Sequence, residues 1–140
     1  MTPAVAPGWS LAVHGGAGAI ERHHLRPEQE HAYRAALAHA VGAGAQVLEA
    51  RGSAMDAVTA AVRLLEEEPL FNAGRGAAFT AEGKTELDAA IMDGATLAAG
   101  AVAGVTRTRS PIALARAVME RSGHVLLIGE GANAFSLAQG

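Results

Sequence analysis

The segment LEEEPLFNAGRG, residues 65–76, fixes where a helix must end and where a tight loop must follow. Pro69 ends the helix because it lacks a backbone N–H and disfavours helical geometry at the preceding residue. The last helical carbonyls then have no partner within the helix, and the glutamates at 66–68 add negative charge there. Gly74 and Gly76 permit a tight backbone path. Such an oxygen-rich loop suits a hard cation, although a solvated helix end followed by a turn is the simpler interpretation.

Two helices with small apolar faces precede this segment. Pro27 lies in or just before the first turn of the first helix, and Gly52 ends it. Ser53 caps the second helix, with Asp56 as its acidic partner. We expect these helices to pack closely against each other and a sheet. The predicted faces are Tyr33, Leu37, Ala40, Val41, Gly44, Val47 and Leu48 in the first helix, and Ala54, Ala57, Val58, Ala61, Val62 and Leu65 in the second, with Asp56, Thr59, Arg63 and Glu66 facing away.

The rest of the pattern predicts strands and a third helix. The run at 97–106 is almost wholly apolar, which favours a strand buried on both faces. Its glycines at 100 and 104 lie on one face and invite close approach of a backbone. Asp93 and Gly94 signal a hairpin before it, with a loop that can exceed two residues. Further strands are predicted at 10–14, 86–92 and 125–128, and a helix opens at Ser110 and Pro111 as N-cap and first position and ends at Gly123.

Two glycine patterns resemble nucleotide-binding turns. The strand at 10–14 runs into GGAG at 15–18, but the position that needs glycine or alanine is Glu21, so a tight turn is the alternative. The run GEGANA at 129–134 fits the pattern between a strand and a helix. The ribose-binding acid expected about 20 residues later does not occur before Gly140. Nucleotide or anion binding by a non-catalytic domain therefore stays an alternative.

The composition excludes several classes of function. The chain has no cysteine, so it contains no disulfide, thiolate zinc site or cysteine nucleophile. Its 11 basic residues are scattered and its net charge is −3, which gives no basic stripe for nucleic acid. No apolar run reaches membrane-spanning length and no signal peptide opens the chain, so we predict a cytoplasmic protein without a membrane partner. Aromatic residues make up only 4%, which implies a core of small side chains.

No familiar catalytic arrangement is present in the sequence. There is no Ser-His-Asp order, metalloprotease helix, phosphate-binding loop or pair of catalytic carboxylates. His14 is interpreted as a hydrogen-bonded turn or core histidine, and Asp88 and Asp93 as hydrogen-bonding groups at strand ends. The residues alone therefore indicate part of a sheet-and-helix protein that lacks a nucleophile.

Six blocks, taken together and in order, resemble the α subunit of the plant-type asparaginase and isoaspartyl peptidase family of N-terminal-nucleophile hydrolases. They are LAVHGGAGAI, GSAMDAVTAAVRLLEEEPLFNAGRGAAF, ELDAAIMDG, AGAVAGV, SPIALARAVM and HVLLIGEGA, between Leu11 and Gly140. The resemblance implies an α+β fold, a four-layer αββα sandwich in which residues 1–140 supply the α-subunit half as a single segment of one domain. Residues 1–9 would form an N-terminal arm, and a C-terminal linker beyond residue 140 would be missing.

The resemblance also implies the activity and the partners. The precursor would cut itself and free a threonine that begins the β subunit, and this threonine would be the nucleophile. No catalytic residue is then expected in the present chain. The substrates would be β-aspartyl dipeptides and L-asparagine, the product L-aspartate, and the assembly an (αβ)2 heterotetramer with the β subunit from the same precursor. A glycosylasparaginase of the same fold is the alternative.

Matching positions imply the residues of the site. His14, Gly15 and Gly16 would lie near the scissile peptide, and Asn72 near the nucleophile. A structural sodium ion, or potassium as the alternative, would be held without any organic cofactor. Its ligands would be the main-chain carbonyls of Leu65, Glu66, Glu68, Phe71, Ala73 and Arg75.

Overall fold

The structure is a computed structural model that describes residues 8–16 and 25–140. Most of the expected N-terminal arm, and the glycine turn from residue 17 to Glu21, therefore lie outside the described residues. A mixed arrangement of helices and a sheet confirms the α+β class. The elements are α1 (Pro27–Glu49), α2 (Ala54–Glu67), β1 (Leu87–Met92), β2 (Ala99–Val105), α3 (Pro111–Arg121), β3 (Leu126–Ile128) and α4 (Gly129–Gln139), with a short 3₁₀ turn at Gly74–Gly76.

The contacts divide the chain into two compact units, Met1–Ala61 and Val62–Gly140. The first unit contains α1 and the beginning of α2, and the second contains the sheet, α3 and α4. That the whole chain is one segment of a single domain stays a prediction. None of the helices in the described residues combines the length and the apolar character that a membrane crossing requires.

In the first unit, α1 and α2 pack backbone against backbone at Gly44. A Cβ atom at this buried position would lie 2.9 Å from the carbonyl oxygen of Ala57 and 3.5 Å from the Cβ of Ala61. This contact confirms the close packing expected from small residues. Every residue of the predicted α1 face is at least half-buried, whereas Ala54, the first residue of α2, is exposed.

Two local predictions in this unit are confirmed in part. Ser53 caps α2 as expected: its Oγ accepts a hydrogen bond from the Asp56 N–H at 3.0 Å and donates to the Asp56 carboxylate at 2.7 Å. The end of α1 differs, because Arg51 rather than Gly52 adopts the left-handed conformation, with φ of 61°. Gly52 instead lies so close to Val47 that a side chain would collide with it.

The strand predicted at 10–14 is wrong. Residues 8–16 form no helix or strand in the structure. An apolar stretch becomes a strand only when a neighbour completes its hydrogen-bond ladder, and the sheet found in the described residues consists of β1, β2 and β3 alone.

In the second unit, the sheet has the order β1-β2-β3. β1 and β2 are antiparallel, and β2 and β3 are parallel with α3 as the connecting helix. Asp93 organises the hairpin loop, since its N–H donates to the Ala98 carbonyl at 2.8 Å and its carboxylate accepts from the Thr96 hydroxyl at 2.7 Å. The hairpin, its length beyond two residues and the strand-end role of this aspartate are confirmed.

A bulge interrupts the pairing of β1 and β2 where the register shifts between Leu87 and Ala89. Gly104 adopts a φ of 62° there, and its N–H donates to the Asp88 carboxylate at 2.8 Å. The hydrogen-bonding role predicted for Asp88 is confirmed. Because the bulge breaks the alternation, Gly104 is only half-buried, whereas Gly100 is buried beneath α3.

The two faces of the sheet differ in burial. Ile91, Gly100 and Val102 belong to the buried face, against which α3 packs. The prediction that β2 is buried on both faces is wrong for the described residues, because its other face remains partly exposed. We call that second face the open sheet face. It consists of Ala90, Met92, Ala99, Ala101, Ala103, Leu126 and Ile128.

Replacement of Gly100 by alanine tests the packing of α3 on the sheet. A Cβ atom there would overlap the Ala115 carbonyl oxygen and lie 2.6 Å from the Met119 nitrogen. We expect G100A to lower the free energy of unfolding of the full-length protein by about 1–3 kcal/mol. G94A, at a loop glycine with open space around it, should change it by less than about 0.5 kcal/mol. Equal effects of both variants in urea denaturation would contradict this packing.

Candidate cation loop and active-site residues

The candidate cation loop, residues 65–76, begins where α2 ends at Glu67. Pro69 has no N–H to offer the carbonyl of Leu65, four residues earlier, so the helical ladder stops. The Leu70 N–H turns instead to the Glu68 carboxylate, at 3.3 Å. The predicted end of the helix is therefore confirmed, and the chain turns back on itself within a few residues.

Two glycines allow the loop to close. Gly74 has a φ of 48°, and a Cβ atom on it would overlap the carbonyl oxygen of Glu66. A Cβ atom on Gly76 would overlap the carbonyl of Phe71 and lie 2.6 Å from that of Pro69. Carbonyl oxygens thus lie so close to Gly74 and Gly76 that no residue with a Cβ atom would fit there. The loop therefore brings several main-chain oxygens close together.

The carbonyls expected to bind a cation form part of this turn. Those of Glu68, Phe71 and Ala73 accept backbone hydrogen bonds of 3.3, 2.8 and 2.9 Å from N–H groups two or three residues later. A carbonyl oxygen has a second lone pair, so these bonds leave room for an ion. The described residues contain no cluster of three or more histidine or acidic side chains able to hold a metal. The loop fits a hard cation held by main-chain oxygens.

Asn72 lies in the same loop and is exposed. Its side-chain oxygen accepts a hydrogen bond from the Ala78 N–H at 2.8 Å, which fixes the side chain across the 3₁₀ turn at Gly74–Gly76. The side-chain oxygen thus stabilises the loop, while the side-chain amide nitrogen has no acceptor among the described residues. A donor held in this way can bind a substrate oxygen.

Glu66 is buried, with 4% of its surface exposed, so the prediction that it faces away is wrong. Its carboxylate accepts a hydrogen bond from the Ser110 hydroxyl and another from the Ile112 N–H, both at 2.7 Å. The position of Ser110 before the first turn of α3 is confirmed. The acceptor that caps the helix, however, is the glutamate side chain and not the serine. Burial raises the pKa of Glu66, although both hydrogen bonds oppose this shift.

Glu67 points to the surface and pairs with Arg109. The guanidinium donates two hydrogen bonds, at 2.7 and 3.1 Å, to the two carboxylate oxygens. This pairing lowers the pKa of Glu67 and raises that of Arg109. Because Glu68 accepts from the Leu70 N–H, each of the three consecutive glutamates has a specific partner, and a merely solvated helix end is not what the structure contains.

The His14 turn lies in the first unit. The His14 Nδ1 accepts a hydrogen bond from the Gly16 N–H at 3.2 Å, and Gly16 has a φ of 114°. The interpretation of His14 as a hydrogen-bonded turn residue is confirmed. Gly15 and Gly16 are described in the same turn, and their expected place near the scissile peptide stays a prediction.

The second glycine pattern does not form a phosphate-binding loop. α4 begins at Gly129, directly after β3, so the glycines at 129 and 131 lie in its first turn. Glu130 in that turn would repel a phosphate. The buried Asn133 accepts from the Thr106 N–H at 3.0 Å and donates to the Thr106 hydroxyl at 3.2 Å. The segment therefore anchors α4 to the end of β2, which disfavours nucleotide binding.

Comparisons with known proteins identify the relatives of this chain. The sequence model of a family described as asparaginase matches residues 7–140. The isoaspartyl peptidases of Salmonella typhimurium and Escherichia coli are each 58% identical over 130 residues, which cover 93% of this chain and 42% and 40% of theirs. The plant-type L-asparaginase of Pyrococcus abyssi is 49% identical over 131 residues, which cover 94% of this chain and 41% of that protein. The chain thus spans about two-fifths of the length of these relatives.

Replacement of Gly74 by alanine tests the closure of the loop. Gly83 is a matched control, since its φ of 73° is also positive but nothing lies within 4 Å of its would-be Cβ. We expect G83A to cost about 1–2 kcal/mol of stability from backbone conformation alone. G74A should cost at least about 1 kcal/mol more because of the overlap with the Glu66 carbonyl. Thermal unfolding of the full-length protein measures the difference, and equal losses would show that the loop is open at this point.

Proposed function

Because the chain belongs to the asparaginase family, we propose that it is the α half of an isoaspartyl peptidase that also hydrolyses L-asparagine. The observation that carries the proposal is the 58% identity, over 93% of the chain, to relatives named isoaspartyl peptidase. The substrates are β-aspartyl dipeptides and L-asparagine, and the product is L-aspartate.

The reacting hydroxyl comes from outside this chain. Three serine hydroxyls form structural hydrogen bonds. Ser53 accepts from the Asp56 N–H at the start of α2, Ser110 donates to Glu66 at the start of α3, and Ser122 donates to the Val118 carbonyl at 2.7 Å. We therefore assign the nucleophile to a threonine that begins a β subunit, released when the precursor cuts itself. Its own α-amino group takes the hydroxyl proton as the oxygen attacks the β-carbonyl carbon, and passes it to the nitrogen of the breaking C–N bond, so that ammonia or the amino acid leaves. Water then hydrolyses the acyl-enzyme and releases L-aspartate.

The open sheet face is where the β subunit packs. The opposite face of the same sheet carries α3, so a second sheet laid on the open face would give the layer order αββα. Face-to-face sheets bury such surfaces at a separation of about 10 Å. In support, Met92, Leu126 and Ile128 are 53–64% exposed on this face, with a row of alanines between them. Two such αβ pairs associate as an (αβ)2 assembly in this proposal.

The candidate cation loop holds a sodium ion, or potassium, through the carbonyls of the six residues named above. The ion supplies no chemistry; it stabilises the loop that carries Asn72. The Asn72 amide then lies near the nucleophile, and the His14 turn lies near the peptide that is cut during maturation. Without a cysteine in the chain, a reducing compartment such as the cytoplasm stays our prediction.

Maturation and hydrolysis of the full-length precursor test the proposal directly. Mass spectrometry of the purified protein should reveal a second chain that begins with threonine. The mature protein should release aspartate from β-aspartyl dipeptides and L-asparagine faster than from a glycosylated asparagine. The reverse preference would indicate a glycosylasparaginase, and an uncut, inactive precursor would overturn the proposal.

Replacement of Ile128 by lysine tests the role of the open sheet face. Ile128 is 64% exposed on this face, and Leu137, 66% exposed on α4, is the matched control. We expect I128K to impair maturation and assembly, because association would bury an unpaired ammonium group at a cost of several kcal/mol. L137K should assemble normally. Size-exclusion chromatography and the yield of the cut chain measure both effects, and equal behaviour of the two variants would contradict the assigned face.

Replacement of Asn72 by alanine tests its role at the active site. The variant loses the amide donor proposed to face the substrate and the acceptor for the Ala78 N–H. We expect kcat/KM for a β-aspartyl dipeptide to fall by about 10²–10³-fold, as for other transition-state donors. The sodium-dependent rise in Tm should persist. N72D, which keeps the acceptor but not the donor, should be as inactive as N72A; an active N72D would assign the residue a purely structural role.

A further inference from the structure

Glu66 contributes to two different contacts through its two ends. Its carboxylate accepts hydrogen bonds from the Ser110 hydroxyl and the Ile112 N–H at the start of α3, both at 2.7 Å. Its main-chain carbonyl oxygen lies against Gly74, so closely that a Cβ atom there would overlap it. One residue therefore joins the first turn of α3 to the turn that closes the candidate cation loop.

The side chain leaves this residue little freedom. Glu66 is 4% exposed and each of its carboxylate oxygens receives a short hydrogen bond. One donor is a backbone N–H of α3, and α3 itself is packed on the sheet through Gly100. The carbonyl of Glu66 therefore has a fixed position relative to the sheet. The other carbonyls of the loop are positioned relative to the sheet only through the backbone of the turn.

We propose that Glu66 is a positioning residue, whose carboxylate, clamped at the start of α3, holds the main-chain oxygens of the candidate cation loop in the arrangement that binds a cation. The inference rests on the cation site of the proposed function. In this inference the side chain that positions the ligands does not itself contact the ion. The affinity for the cation should then depend on Ser110, 44 residues away in sequence.

The experiment uses the mature full-length protein and measures Tm as sodium chloride replaces choline chloride at constant ionic strength. A fit of the stabilisation to RT ln(1 + [Na⁺]/Kd) gives the Kd of the loop for the ion, which we call the sodium midpoint. The variants are E66A, which removes both hydrogen bonds, S110A, which removes one, and E66Q, which retains an acceptor for the Ile112 N–H. E67A is the matched control, because Glu67 is adjacent but pairs with Arg109 at the surface.

We expect E66A to raise the sodium midpoint by about tenfold or more, since two buried bonds to a charged acceptor are lost. S110A should raise the sodium midpoint by about threefold. E66Q should keep it within about threefold of the unmodified protein, because the glutamine oxygen can accept from the Ile112 N–H and its NH2 group can donate to a rotated Ser110 hydroxyl. E67A should stay within about twofold, as expected of an exposed ion pair. S110A and E66Q carry the test if E66A does not fold.

The inference is overturned if the variants lower Tm in choline but keep the unmodified sodium midpoint, because Glu66 would then serve only the packing of α3. An E66Q midpoint as high as that of E66A would also overturn it. If the unmodified protein hydrolyses β-aspartyl dipeptides but shows no sodium dependence, the cation site and this inference fail while the proposed function stands. If the protein is inactive but the variants show the expected sodium midpoints, the proposed function fails while the cation site and this inference stand.

Discussion

The buried carboxylate of Glu66 is the interaction on which the second unit depends. A carboxylate removed from water is destabilising by several kcal/mol unless it is well compensated. Two hydrogen bonds of 2.7 Å and the positive end of the α3 dipole provide that compensation. The raised pKa of Glu66 nevertheless records the cost of burial. Because separation of α2 from α3 would break both hydrogen bonds, these bonds link the end of one helix to the start of the other.

Small residues set the distances in the rest of the structure. At Gly44 one helix lies on another, at Gly74 a loop closes on a helix end, and at Gly100 a helix lies on a sheet. In each case a backbone oxygen lies within 2.9 Å of the added methyl group, and at Gly44 a side-chain atom of Leu11 also lies 2.5 Å away, so relaxation of a flexible side chain alone cannot make room. A chain with 4% aromatic residues achieves its packing by this close approach of backbones instead of by large side chains.

The sequence allowed prediction of features that depend on neighbours a few residues apart. The α1 face, the Ser53 cap, the hairpin at Asp93 and the helix stop before Pro69 all follow from local spacing or local chemistry. Glu66 was misassigned because its donors lie 44 and 46 residues away, and no local pattern reports such a partner. The strand at 10–14 failed for the same reason, since a ladder requires a second strand. The carbonyl ligands and the place of Asn72 came from family resemblance and remain predictions. For Asn72 no local pattern could decide, because the nucleophile proposed to lie near it belongs to another chain.

The open sheet face also has a thermodynamic consequence. Alanines and larger apolar side chains lie side by side on it in contact with water. Removal of such a surface from water lowers the heat capacity of the system and draws much of its driving force from solvent entropy near room temperature. Whatever packs on this face is therefore held less firmly as the solution is cooled. An assembly closed through it is consequently expected to be sensitive to cold, a property set by the sheet and independent of the chemistry at the catalytic centre.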